Sequence, residues 1–336
     1  MTTVKSACIV LLVSASVCMA ADTTKPAAAP AGSSNLWISD FEAAKALAAK
    51  EGKDLLLDFC GSDWCGWCIR LKKEVFATPD FEAAAPKQFV LVELDFPRDK
   101  TKVVAATAAQ NEKLAKEFGV QGYPSIFLAD AQGRPYAQIG YEPGGPTNYL
   151  ARLADLKKIR ATRDAAWAKA GKAAGVDKGK LLAEGLAALD EDLVATCYSP
   201  MVAEIKRLDP ADSSGIVKKA EFKARLAELE KALMTSISQK DADLAAVAKQ
   251  VDAFIEANKP VGEAMQKTMM LKLKCYPPRS VENVDEAIKL LDAIAAVDAT
   301  TPTGTQALQI KKQAETIKQR LEQKKDKTAL PATQPK

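Results

Sequence analysis

Residues 54–68 read Asp54-Leu55-Leu56-Leu57-Asp58-Phe59-Cys60-Gly61-Ser62-Asp63-Trp64-Cys65-Gly66-Trp67-Cys68, and no other stretch constrains the fold as much. Successive leucines without polar alternation are the pattern of a strand covered on both faces. The strand runs into a Gly-Ser-Asp turn, and a helix is expected to begin at the first cysteine of Cys65-Gly66-Trp67-Cys68. That placement has chemical meaning. The thiolate is the nucleophile in disulfide exchange, and an ordinary cysteine is mostly protonated at neutral pH. At a helix amino terminus Cys65 faces unpaired N–H groups and the positive end of the dipole, which favour its anion. Cys68 lies one turn in, within bonding reach and expected to be the more shielded. Arg70, Lys72 and Lys73 add positive charge to the same helix.

Histidine is absent from the 336 residues, so no Ser-His or Cys-His pair and no His metal ligand exists. No second Cys-x-x-Cys occurs either, which leaves a four-ligand zinc site short of partners. No metal and no cofactor are expected. With 47 basic and 43 acidic residues the formal charge is +4, and no concentrated basic face for nucleic acid is indicated.

The amino terminus carries a secretory pattern: Lys5, an apolar run from Ala7 to Val17, and Cys18-Met19-Ala20 with cleavage expected after Ala20. The run is short for a membrane span, and Val17 before Cys18 argues against lipidation. Residues 1–20 are thus read as a signal peptide and 21–34 as a disordered linker. The mature chain is expected to be soluble in the periplasm, or otherwise exported, where disulfides persist. Of seven cysteines, Cys8 and Cys18 leave with the signal, and Cys60, Cys65, Cys68, Cys197 and Cys275 remain.

From residue 35 the pattern gives strand, helix, strand, helix, strand, helix, strand, strand, helix. Ser39 and Glu42 have capping-box spacing for a helix to Lys50, stopped by Gly52. Strands follow at 54–59, 89–95, 125–128 and 135–139, with helices at 69–77, 103–118 and from Pro146. Beyond about residue 151 the strand-like runs vanish. Ala, Lys, Glu and Leu recur at helical spacing to about residue 325, giving roughly seven helices broken near Gly175, Pro200, 209–215, 258–262, Pro277-Pro278 and 300–304. Residues 161–326 are read as a helical domain and 327–336 as a disordered tail. Cys197-Tyr198-Ser199-Pro200 echoes Cys275-Tyr276-Pro277-Pro278, and 205–215 echoes 294–304, which suggests a duplicated helical unit. Cys197 and Cys275 are either a structural disulfide joining the two units or two buried thiols.

Residues 36–160 resemble the thioredoxin superfamily. The resemblance rests on Asp58-Phe59 at the strand end, Trp64-Cys65-Gly66-Trp67-Cys68, Gly122-Tyr123-Pro124-Ser125 and Gly140 after the last strand. Among its branches the segment is most similar to bacterial periplasmic thioredoxin-like proteins akin to the carboxy-terminal domain of the thiol-disulfide interchange protein. It implies an α/β domain, a central mixed sheet flanked by helices, followed here by an all-α region. It also implies protein disulfide exchange; the reductase or isomerase direction is favoured, although the Gly-Trp dipeptide between the cysteines does not itself specify the direction of electron flow. In that reaction Cys65 attacks the substrate disulfide, Cys68 resolves the mixed disulfide, and Asp58 takes or relays the proton of Cys68. Pro124 would follow a cis bond and set the Tyr123 backbone beside Cys65 to pair with an extended substrate. Partners would be protein disulfides and a membrane or periplasmic electron donor; the pattern specifies no oligomeric state. Glu93, on the neighbouring strand, could tune Asp58. Trp64 and Trp67 either pack around the loop or grip unfolded substrate, and Cys60 is either a small core residue or a third redox thiol. Trp67 stands where thioredoxin has proline, Cys60 where it has tryptophan, and one extra residue separates Asp58 from Cys65. A competing reading makes the α/β domain a docking platform in an assembly or binding module, with the helical domain capturing a partner.

Overall fold

The computed structural model describes residues 36–329, with side chains to residue 325. The expected signal (1–20), linker (21–34) and tail residues 330–336 lie outside them. Five strands form one sheet in the order β1-β3-β2-β4-β5: β1 is Trp37–Ile38, β2 Asp54–Cys60, β3 Phe89–Asp95, β4 Ser125–Ala129 and β5 Pro135–Ile139. β1 and β2 lie parallel to β3, while β4 runs antiparallel to both β2 and β5. The sheet is mixed, with helices on both faces. Successive side chains of a strand point to opposite faces. Leu56 therefore joins a core with Leu71, Phe81, Leu91 and Tyr149, while Leu55, Leu57 and Phe59 join Phe41, Val92 and Phe118 on the other side. All four β2 side chains are fully buried. Each contributes about 1.5–3 kcal/mol by leaving water.

Helices α1 (Phe41–Glu51), α2 (Gly66–Leu71), α3 (Pro79–Ala84) and α4 (Ala105–Glu117) connect the strands. The cap of α1 is Asp40, whose carboxylate accepts from the Ala43 amide at 3.0 Å, and not Ser39. α2 gives way to a π-helical turn at Lys72–Phe76, a form that clusters near functional sites.

The next helix, α5, runs unbroken from Gly145 to Ala170, through both the change of texture near residue 151 and the expected start of the helical domain at 161. The helices beyond it are α6 (Gly175–Ala187), α7 (Glu191–Cys197), α8 (Ser199–Leu208), α9 (Ile216–Ile237), α10 (Leu244–Asn258), α11 (Gly262–Leu273), α12 (Val281–Val297) and α13 (Pro302–Ala329). Two breaks escaped the sequence pattern. Those before α7 and α10 lack Gly or Pro and are marked only by Asp190 and Asp243, each capping the helix that follows. The last helix continues to Ala329, past the start of the expected tail.

Leu186, Tyr198, Ile205 and Val217 belong to the same core as Leu56 and Tyr149, so α6 to the start of α9 are packed onto the sheet layer. A buried ion pair fixes this junction. Arg163 on α5 is fully buried and donates to Asp130 Oδ2 at 2.6 Å, Tyr198 Oη at 3.0 Å and the Arg134 carbonyl at 3.2 Å. Tyr198 in turn donates to the Pro135 carbonyl. Only a planar guanidinium with several fixed donors satisfies so many acceptors at once. Further along, α9–α11 share a core around Leu233 and Val251, and α11–α13 another around Leu291 and Ile294. No described helix is long and apolar enough to cross a membrane.

The option of a Cys197–Cys275 disulfide is corrected: both thiols are free. Cys197 packs beside the sheet cores, its Sγ 3.6 Å from the Glu117 carbonyl, whereas Cys275 is buried in the α9–α11 core. The matching Cys-Tyr-x-Pro contexts thus serve two separate packing environments.

Candidate functional site

β2 delivers the site at its carboxyl end. After Cys60 the chain turns through Gly61–Trp64, and α2 begins with Cys65 as its cap. The turn is pinned to the segment after β3. Asp95 accepts from the Ser62 amide at 2.8 Å and the Ser62 hydroxyl at 2.6 Å. Asp63 accepts from the Arg98 and Asp99 amides at 2.9 and 3.1 Å. The Arg98 amide first, then that of Asp99, holds the Asp63 carboxyl well below its usual range. Trp64 Nε1 donates to the Phe96 carbonyl at 2.8 Å.

Cys65 and Cys68 are joined as a disulfide, their Cα atoms 5.2 Å apart. The Cys68 amide donates to Cys65 Sγ at 3.1 Å. This N–H is one of the unpaired donors at the start of α2, and it aims at the sulfur that would carry negative charge once the bond is reduced. Cys68 is not the more shielded of the two: each is 6% exposed. Cys60, 4% exposed, shares a small cluster with both and with Tyr123. Its thiol lies 3.7 Å from Asp95 Oδ1, and burial, followed by the charges of Asp58, Glu93 and Asp95, pushes it well above the ordinary thiol range. Such a thiol stays protonated and is a poor nucleophile.

Asp58 lies in β2, directly opposite Glu93 in β3. It is buried, and its Oδ1 has no hydrogen-bond partner. Burial, then the like charge of Glu93, raises its carboxyl to about 8, against the opposing pull of Lys72. Lys72 reaches Glu93 Oε1 at 2.9 Å. The arrangement places a carboxyl that titrates near neutrality in the strand that leads to the cysteines.

The Tyr123–Pro124 peptide bond is cis. It precedes β4, and the Ser125 hydroxyl donates back to the Gly122 carbonyl at 2.9 Å. Tyr123 packs edge-on against Trp64, with ring centroids 5.5 Å apart. Trp64, Trp67 and Ile69 are 37, 56 and 48% exposed, an apolar collar around the disulfide. Trp67 packs at a tilt against Tyr141, with ring centroids 5.2 Å apart, and Arg70 lies over both rings while donating to Glu74 at 2.8 Å. Glu74 also accepts from the Tyr141 hydroxyl at 2.6 Å. The sequence pattern passes over Tyr141, Glu74, Ser62 and Asp95. The contacts that give them a role, Ser62 with Asp95 and Glu74 with Tyr141, join residues far apart in the chain.

A mixed sheet bearing a cysteine pair at a helix start beside a cis-proline loop defines a thioredoxin-like protein, and the chain belongs to the thioredoxin-like family of disulfide oxidoreductases. The family described as thioredoxin-like domain matches residues 41–157. Disulfide bond reductase DsbH of Chlamydia pneumoniae is 30% identical over 131 residues, covering 39% of this chain and 78% of the relative. Thiol:disulfide interchange protein DsbD of Cronobacter sakazakii is 35% identical over 89 residues, which span 26% of this chain and 14% of that protein. A solved DsbH oxidoreductase structure shares 28% identity over 41% of this chain and 95% of its own, with a TM-score of 0.35.

Proposed function

We propose that this protein is an exported thiol-disulfide oxidoreductase that reduces or isomerises disulfides in polypeptide substrates. The observation that carries the reading is the Cys68 amide donating to Cys65 Sγ at the head of α2. In the reduced form that donor and the helix start favour the Cys65 thiolate. The thiolate attacks one sulfur of a substrate disulfide; the new bond joins Cys65 to substrate, and the departing substrate sulfur takes a proton. Cys68 then loses its proton to the Asp58 carboxylate and attacks Cys65 Sγ, releasing the second substrate thiol. The protein ends as the Cys65–Cys68 disulfide, its two electrons transferred, and a dithiol donor must reduce it again. A carboxyl with an affinity near 8 can accept and return that proton close to neutral pH. Tyr123 and Pro124 would present backbone to an extended substrate, and Trp64 and Trp67 would supply apolar grip. Export rests on the secretory pattern of residues 1–20. The DsbH relative's name, disulfide bond reductase, agrees with the reductive direction.

Cys65→Ser is expected to abolish insulin reduction by the dithiothreitol-recycled protein, and Cys68→Ser to accumulate a mixed disulfide with substrate. Retained activity in Cys65→Ser would overturn the reading.

A further inference from the structure

The helices beyond α5 also line two clefts beside the cis-proline loop. A cleft of 470 Å3 opens at Gln121 and Gly122, immediately before the cis bond, and is walled on the far side by α7 and α9. A second cleft of 390 Å3 shares Gln121, Asp192, Lys223 and Ala227 with the first and continues to Lys267 on α11. The two form one trough leading from the cis-proline loop across α9. Each part is large enough for several residues of polypeptide, being in the range that holds a drug-sized ligand. Gly122, which lines the first cleft, leaves open space where a side chain would stand.

We infer that this trough receives the stretch of polypeptide substrate flanking the disulfide under attack, making the helical region a fixed second wall of the substrate site. Three observations carry this. The trough begins one residue from the backbone that the proposed reaction uses to hold an extended chain. Its walls carry both signs of charge, with Asp192 paired to Lys223 at 2.7 Å and Glu230 and Lys267 farther on, which suits a main chain of mixed side chains better than an anion or a lipid. Its α7 wall is also set at close range to the loop: a Cβ on Gly119 would lie 2.5 Å from Thr196 Cγ2.

The inference rests on the thiol-exchange reading, and the test separates the two. Ala227 is exposed on α9 and lines both parts of the trough, so Ala227→Trp fills it without entering a core. The full chain is assayed with insulin and with 5,5′-dithiobis(2-nitrobenzoate), a small disulfide that needs only Cys65. The expected result is an insulin KM raised about five-fold or more with kcat nearly unchanged, the pattern of lost uniform binding. The small disulfide should react at the unaltered rate, which also certifies that the variant is folded. An unchanged insulin KM, or equal losses on both substrates, overturns the trough while leaving thiol exchange standing. If the unaltered protein turns over neither substrate, both readings fall.

Discussion

Asp58 is a carboxyl placed where it costs stability when charged. Burial raises its affinity to about 8, with Glu93 adding to the effect and Lys72 opposing it. In the unfolded chain the group titrates near 3.8, so between about pH 4 and 8 the native state keeps a proton that the unfolded state has lost. Stability therefore falls as pH rises through that window, by up to about 1.4 kcal/mol per pH unit. Asp58→Asn removes the titration. Urea midpoints of the disulfide form at pH 5 and pH 8 are expected to differ less in the variant, which should be the more stable protein at pH 8. Equal slopes in both proteins would assign the pH dependence elsewhere. The places of Asp58, Cys65 and Cys68 are legible in the sequence because all three fall within one strand-turn-helix segment. The clamp of Arg70, Glu74 and Tyr141 on Trp67 is not, since residue 141 arrives only once β5 is in place. The sequence leaves Cys60 between core and redox roles; its contact with Asp95 and its raised affinity for the proton favour the core role.

Strands and the first helices are readable because their apolar periods are uninterrupted and their ends carry Gly or Pro. β3 and β5 match their expected spans residue for residue. The helices beyond residue 170 are harder, because an alanine-rich chain continues its helical period through breaks that a single Asp cap creates at 190 and 243. Contacts between elements are invisible at this level, and Gly119 is the clearest case. It ends α4 with φ +66° and abuts Thr196 on α7. Gly119→Ala meets two penalties: about 1–2 kcal/mol for a left-handed backbone and a further clash with the Thr196 methyl. Thr196→Ala removes the methyl and leaves only the Cβ, 3.5 Å away. The double variant is expected to recover the steric part and retain the backbone part, measured by urea denaturation of all four proteins. Additive losses would show that the two residues do not touch.

The Arg163 junction decides whether the chain behaves as one body. Its guanidinium is fully buried with a fully buried Asp130, and truncating one partner of such a pair costs about 3–5 kcal/mol. Arg163→Met roughly keeps the volume and removes the charge, leaving Asp130 with Arg134 Nε at 2.8 Å as its ion-pair partner and the Gln132 and Arg134 amides, each at 3.0 Å, as donors. The expected outcome is a loss of that size. Tryptophan fluorescence and helical circular dichroism should unfold together in both proteins up to the shared core. Separate transitions in the unaltered protein, with the first confined to α6–α8, would refute the coupling. The change of texture near residue 151 marks where the strands end, and the core that holds Leu56 and Tyr149 continues past it to Val217.

Because α5 is continuous, whatever follows it inherits its rotational phase. One residue inserted near position 160 would turn α6–α13 by about 100° and slide them about 1.5 Å, whereas four would come close to restoring their heading. Any chimera that exchanges the catalytic half for that of a relative must therefore match helical register at the splice, and transplanting the cysteine loop alone would be the gentler graft.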